Sequence, residues 1–182
     1  MRVLEDLEPK RVFYYFEELS KIPHGSQNTK KISDRIVEFA KEHDLKYIQD
    51  ESNNVIIIKE ASKGYENADA VIIQGHMDMV CEKESDCNID FETEGLDLYV
   101  EDGFVKARGT TLGGDDGIAV AYGLALLEAK DIAHPRLELV ITVDEETGMY
   151  GAYGIDLSML RGKKMLNIDS DEEGIFLTSC AG

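Results

Sequence analysis

The stretch VIIQGHMDMV, residues 71–80, carries a short apolar run into Gly75 and then presents His76 and Asp78. Residues two apart in an extended chain point to the same side, so an imidazole and a carboxylate share one face where the strand ends. Three further acidic clusters occupy comparable junctions. LGGDDGIAV places Asp115 and Asp116 where a glycine-rich turn enters an apolar segment, VDEETG places Glu145 and Glu146 just past Val143, and NIDSDEEG places Asp169 after Leu166. In open α/β sheets, ligands gather outside the carboxyl ends of the strands. Histidine with Asp and Glu, and no cysteine among them, is a donor set suited to zinc, manganese or cobalt. Gathered in an apolar surrounding, such groups are costly unless a cation compensates them. A divalent metal pair explains the strand ends; a bare cluster of acids does not.

Each cluster also has a plainer reading. Asp115 and Asp116 suit a helix N-terminus, where acids are favoured. Glu145 and Glu146 alone suit a solvated turn, and His76 alone suits a hydrogen-bonded structural histidine. NIDSDEEG resembles part of a calcium loop, but counting from Asp169 the twelfth position is Cys180 rather than the required Glu. GGDDG lacks the Lys-Ser/Thr of a phosphate loop, and no G-x-S-x-G elbow is present. The conjunction of four clusters at strand ends outweighs the separate readings.

The elements that must position these groups follow from periodicity. Ile32, Ile36, Phe39 and Ala40 share one helical face, giving a helix near 28–44. NVIIIKE (54–60), AVIIQGH (70–76), RLELVITV (136–143) and KKMLNID (163–169) read as strands, and IFLTS (175–179) as a further one. LDLYVEDGFVKARG alternates around Asp102-Gly103, a hairpin signal. Gly117 to Lys130 is apolar nearly all round, so a buried helix is expected. Strands alternating with helices give an α/β layered fold with a largely parallel sheet. The acidic stretch 82–103 is the expected exposed excursion.

Composition narrows the function. The 182 residues are the size of one domain and 43% are hydrophobic. With 37 acidic against 19 basic residues the formal charge is -18, which repels nucleic acid and anionic membranes. Cys81, Cys87 and Cys180 are odd in number and unpaired by spacing, as suits reduced thiols in a cytosol. The N-terminus has no signal-peptide core and no run of 18 apolar residues occurs, so a cytoplasmic protein is expected.

GHMDMV, TTLGGDDGIAVA, DEETGMYGA and NIDSDEEG, in this order and with the earlier KIPHGSQN, resemble the aminoacyl-histidine (Xaa-His, carnosinase-like) dipeptidases, cytosolic di-zinc metallopeptidases related to aminoacylases and peptidase T. The resemblance implies an α/β/α catalytic domain. It implies metal ligands His76, Asp115 (bridging both ions), Glu146 and Asp169, Glu145 as general base, and Asp78 orienting His76. Asp116 stands where relatives often have Asn and receives no role; in relatives the bond before it is cis. Two ions about 3.5–4 Å apart would activate a shared water, with Glu145 taking its proton and returning it to the departing amine. Zinc is the implied metal, with cobalt or manganese as alternatives. The implied substrate is a dipeptide, commonly ending in histidine; a homodimer of the full-length protein is left open.

Family members are much longer, with an inserted lid domain and a final ligand histidine far downstream. His24, His43 and His134 lie in no matching setting. Residues 1–182 are therefore expected to be the N-terminal segment of the catalytic domain, inactive alone. The alternatives are an aminotripeptidase or aminoacylase of the same superfamily, or an acidic metal-binding module without catalysis.

Overall fold

The structure, a computed structural model, describes residues 2–170 and 174–178. Its centre is a five-stranded sheet in the order β1-β2-β6-β3-β7. The strands are β1 (Lys46–Gln49), β2 (Val55–Lys59), β3 (Val71–His76), β6 (Leu137–Thr142) and β7 (Lys164–Asn167). β3 runs parallel to both β6 and β7, while β2 lies antiparallel to β6 and β1 antiparallel to β2. Four strands therefore point one way and β2 the other, a mostly parallel sheet as expected. β4 (Leu98–Glu101) and β5 (Phe104–Ala107) form a separate antiparallel hairpin. Its turn residues Asp102 and Gly103 both have positive φ, 52° and 82°, the combination that matches strand twist.

Alternation along β2 and β6 divides the core. Val55, Ile57, Leu139 and Ile141 face one layer with α2 (Lys30–Glu42) and α3 (Gly114–Glu128). Ile56, Ile58 and Val140 face the other, covered by Ile155, Met159 and Leu160. β6 is buried at all six positions, as a central strand should be. α3 buries Ala119, Val120, Ala121, Leu124 and Leu127 between the sheet and α1 (Lys10–Ser20). Gly123 permits that seat, because a Cβ there would lie 2.4 Å from Leu139 Cδ1. At the far end of β6, Glu138 is fully buried. It accepts bonds from Arg136 Nε at 2.7 Å and from the amides of Arg161 and Gly162, both at 2.9 Å.

Two expectations require correction. Ile175–Thr178 form no strand, because a β-rich segment becomes a strand only with a partner, and Phe176 and Leu177 stand 89% and 77% exposed; Ser179 lies outside the described residues. The buried helix begins earlier than Gly117, with Asp115 and Asp116 in non-helical backbone inside its first turn. α1, β1 and the short α4 (Tyr150–Gly154) were not anticipated. Cys81 and Cys87 are free thiols, and Cys180 lies outside the described residues. Among the described residues no helix is long and apolar enough to cross a membrane.

Candidate metal centre

The carboxyl ends of β3, β6 and β7 and the N-terminus of α3 meet at one edge of the sheet. His76, the last residue of β3, is 1% exposed. Its Nδ1 lies 2.8 Å from the carbonyl oxygen of Asp78, an acceptor only, so Nδ1 carries a proton and donates. Nε2 then faces Asp115 Oδ1 at 3.2 Å and Glu145 Oε2 at 3.9 Å. An unprotonated ring nitrogen cannot face carboxylate oxygens without a cation between them. Either a proton or a metal ion must occupy Nε2.

Two groups of donors can hold such an ion. Ligand atoms of His76, Asp115 and Glu146 all lie within 4.8 Å of one another, as do those of His76, Glu145 and Asp169. Each of the other three residues implied as ligands thus shares a group with His76. Among the described residues the trio His76–Asp115–Asp169 does not form such a group, and Glu145, expected as a base, shares one with Asp169. Asp115, Asp116 and Asp169 do line one cavity of about 310 Å³, with Gly114, Ile118 and Ile168. The surroundings also differ from the expected apolar ones. Asp115, Glu146 and Asp169 stand at an open rim, and only the layer beneath them is dry. Water at the rim lowers the cost of gathering these acids.

That dry layer is His76, Asp78 and Asp116, each 1% exposed. Asp78 reaches His76 Nδ1 with its carboxylate only at 3.4 Å. Its shorter bonds are from Ser26 Oγ at 2.8 Å and from the Glu145 amide at 3.2 Å, with the Glu146 amide at 3.4 Å. Asp78 therefore holds the loop that presents both glutamates. Asp116, given no role from sequence, accepts the backbone N–H of His76 at 3.2 Å. Gly75 makes the contact possible, since a Cβ there would lie 2.5 Å from Asp116 Oδ2. The peptide bond between Asp115 and Asp116 is cis. No pattern in the chain marks the contact with His76, because it joins a side chain to a backbone amide 40 residues away.

The electrostatics follow from this arrangement. Burial disfavours a charged His76, but the Asp78 and Asp116 carboxylates outweigh it and push the imidazole up to about 9. Burial pushes Asp116 up to about 7, aided by Asp169 and Asp115 and opposed by His76. Asp78 is held below its usual range: burial works against ionisation, and the bonds from His76, Ser26 and the Glu145 amide prevail. Burial raises Glu146, with Asp115 and Glu145 adding to it and His76 opposing. The carboxylates of Asp115 and Glu145 that face Nε2 favour a cation there. One imidazole and several carboxylates fit a borderline divalent ion such as zinc, cobalt or manganese.

Cytosol non-specific dipeptidase of Escherichia coli (strain K12) is 38% identical over 182 residues, all of this chain and 38% of that protein. The crystal structure of aminoacylhistidine dipeptidase from Vibrio alginolyticus matches with a TM-score of 0.91 and 38% identity, over 94% of this chain and 35% of that one. Aminopeptidase PepT from Bacillus cereus, at 24% identity and a TM-score of 0.72 over 90% of this chain and 44% of that one, shares the fold. The chain spans little more than a third of the length of the first two relatives. Peptidase family M20/M25/M40 matches residues 72–174, which include His76, Asp78, Asp115, Glu145, Glu146 and Asp169; the chain belongs to that family.

Proposed function

We propose that the protein containing this segment is a metal-dependent dipeptidase, with dipeptides ending in histidine among its substrates. The observation that carries the reading is His76, buried and bonded through Nδ1, with Nε2 turned to carboxylates from α3 and from the loop after β6. The names of the two 38% identical relatives support the substrate class. His76, Asp115, Glu146 and Asp169 would hold divalent ions, zinc foremost. Residues 1–182 would then be the N-terminal part of the catalytic domain.

When bound, the ions would acidify a water and polarise the scissile carbonyl. The remaining work falls to side chains of this chain. Glu145, one-third exposed at the rim, takes a proton from water and returns it to the departing amine, the task of a positioned carboxylate. Asp78 keeps Glu145 and Glu146 in register with His76 by accepting both their amides. Asp116 fixes the height of His76 against α3.

Glu145→Ala in the full-length protein tests this reading against an acidic metal-binding module. It should retain metal and lose dipeptide hydrolysis by about two to four orders of magnitude. Unchanged turnover would overturn the role of Glu145; absence of turnover in the unmutated full-length protein would favour the module. Parallel assays on tripeptides and N-acyl amino acids separate a dipeptidase from an aminotripeptidase or aminoacylase.

A further inference from the structure

The loop Gly25–Asn28 touches neither candidate ion group, yet it joins the two strand ends that carry them. The His24 carbonyl accepts the Met79 amide at 3.2 Å, and Gly25 pairs with Met79 in a parallel bridge, which fixes the loop to the chain just past Asp78. Gly25 allows this approach, because a Cβ there would lie 2.6 Å from Cys81 Sγ. On its other side the Gln27 amide donates to Asp144 Oδ1 at 2.6 Å, immediately before Glu145 and Glu146. Between these ties Ser26 Oγ donates to Asp78 Oδ2 at 2.8 Å, the shortest bond the Asp78 carboxylate accepts.

We infer that Ser26 is a positioning residue for the metal centre: its hydroxyl sets the rotation of the Asp78 carboxylate, and through it the places of Glu145 and Glu146 relative to His76. The side chain of Asp78 is fully buried, so it depends on its protein donors for hydrogen bonds. Without Ser26 Oγ, Oδ2 keeps only the Glu146 amide at 3.4 Å, a poor bond by distance. The carboxylate is then free to turn toward His76 Nδ1, now 3.4 Å from Oδ1, and to release one or both amides. One missing hydroxyl thereby disturbs a ligand and the proton-transferring residue together.

This inference rests on the proposed metallopeptidase reading for its kinetic arm, but not for its structural arm. The variants are Ser26→Ala, Ser26→Thr and, as a control, Ser33→Ala in the full-length protein. Ser33 Oγ makes an equally short bond, 2.7 Å to the Asn53 carbonyl, and accepts a second from Gln49 rather than touching Asp78. In Ser26→Ala, hydrogen exchange at the Glu145 and Glu146 amides should quicken about tenfold, and kcat on a dipeptide should fall about tenfold with KM nearly unchanged, as for loss of a partner behind a metal ligand. Ser26→Thr should restore both. Ser33→Ala should lower the melting temperature and leave both unchanged. Unaltered exchange at Glu145 and Glu146 in Ser26→Ala would overturn the inference, as would a Ser33→Ala variant that reproduces the Ser26→Ala pattern. If the unmutated protein turns over no dipeptide, the proposed activity fails, and exchange at the two amides still decides the role of Ser26.

Discussion

Replacing Gly75 by alanine should damage the metal centre more than the fold. The added Cβ would lie 2.5 Å from Asp116 Oδ2 and 2.8 Å from the Ala119 Cβ. Both separations fall short of ordinary contact, by about 0.9 Å and 0.6 Å against 3.4 Å. Neither neighbour is the loose end of a long side chain: Ala119 belongs to the buried face of α3, and Asp116 is held by the His76 amide. The first turn of α3 must therefore move away from β3, carrying Asp115 with it. Overpacking of this kind costs about 1–3 kcal/mol of stability. Metal ligation tolerates only about 0.2 Å of error in ligand distance, so a shift of over half an ångström should lower affinity at the His76–Asp115 position at least about tenfold. Thermal unfolding and calorimetric zinc titration of the full-length protein read the two effects separately. Gly154→Ala, where a Cβ meets nothing within 4 Å, is the control and should change neither. Wild-type zinc affinity in Gly75→Ala would refute the claim that the absent side chain seats Asp115 against His76.

Glu138→Ala strips a fully buried carboxylate from Arg136 and from two amides of the segment entering β7, and should cost about 3 kcal/mol or more in thermal or urea unfolding. The same carboxylate gives a pH dependence. Burial opposes its ionisation, but Arg136 and the two amides hold it below the ordinary value of 4.5. Its stabilisation is therefore complete above that value and lost as pH falls through the lower folded value. The melting temperature should drop in that acid window in the wild type and drop less in Glu138→Gln. Since the chain spans about a third of its relatives' length, dipeptide turnover is expected of the full-length protein and not of residues 1–182, checked by assaying both at equal zinc.

The parts of the fold that carry chemistry were legible because short runs rich in apolar residues lead into them. VIIQGH, LELVIT and KMLN could be read as strands from composition alone, and placing acids just beyond them needed only the rule for strand ends. α1 was hidden by VFYYF, where the half-buried Phe13 and Tyr14 interrupt the helical spacing of Val12, Tyr15, Phe16 and Leu19 and make it resemble a strand run. β1 is four residues with half-exposed alternation, too short to show a period. Residues 175–178 differ in the opposite sense: they are strand-like but have no partner strand among the described residues. At the site, His76, Asp115, Glu146 and Asp169 were visible as residue types at junctions. The parts played by Ser26 and Asp116 were not, because they act through bonds to a side chain 52 residues away and to a backbone amide 40 residues away. The pairing of Glu145 with Asp169 at His76 is equally a matter of loop path, which residue spacing does not encode.

The most direct test of convergence on a metal is anomalous diffraction at the zinc edge from crystals of the full-length protein grown with zinc. A peak is expected about 2.0–2.2 Å from His76 Nε2, with oxygens of Asp115 and at least one of Glu146 and Asp169 at similar distance. Zinc bound elsewhere, with His76 Nε2 contacting only protein or water, would contradict it.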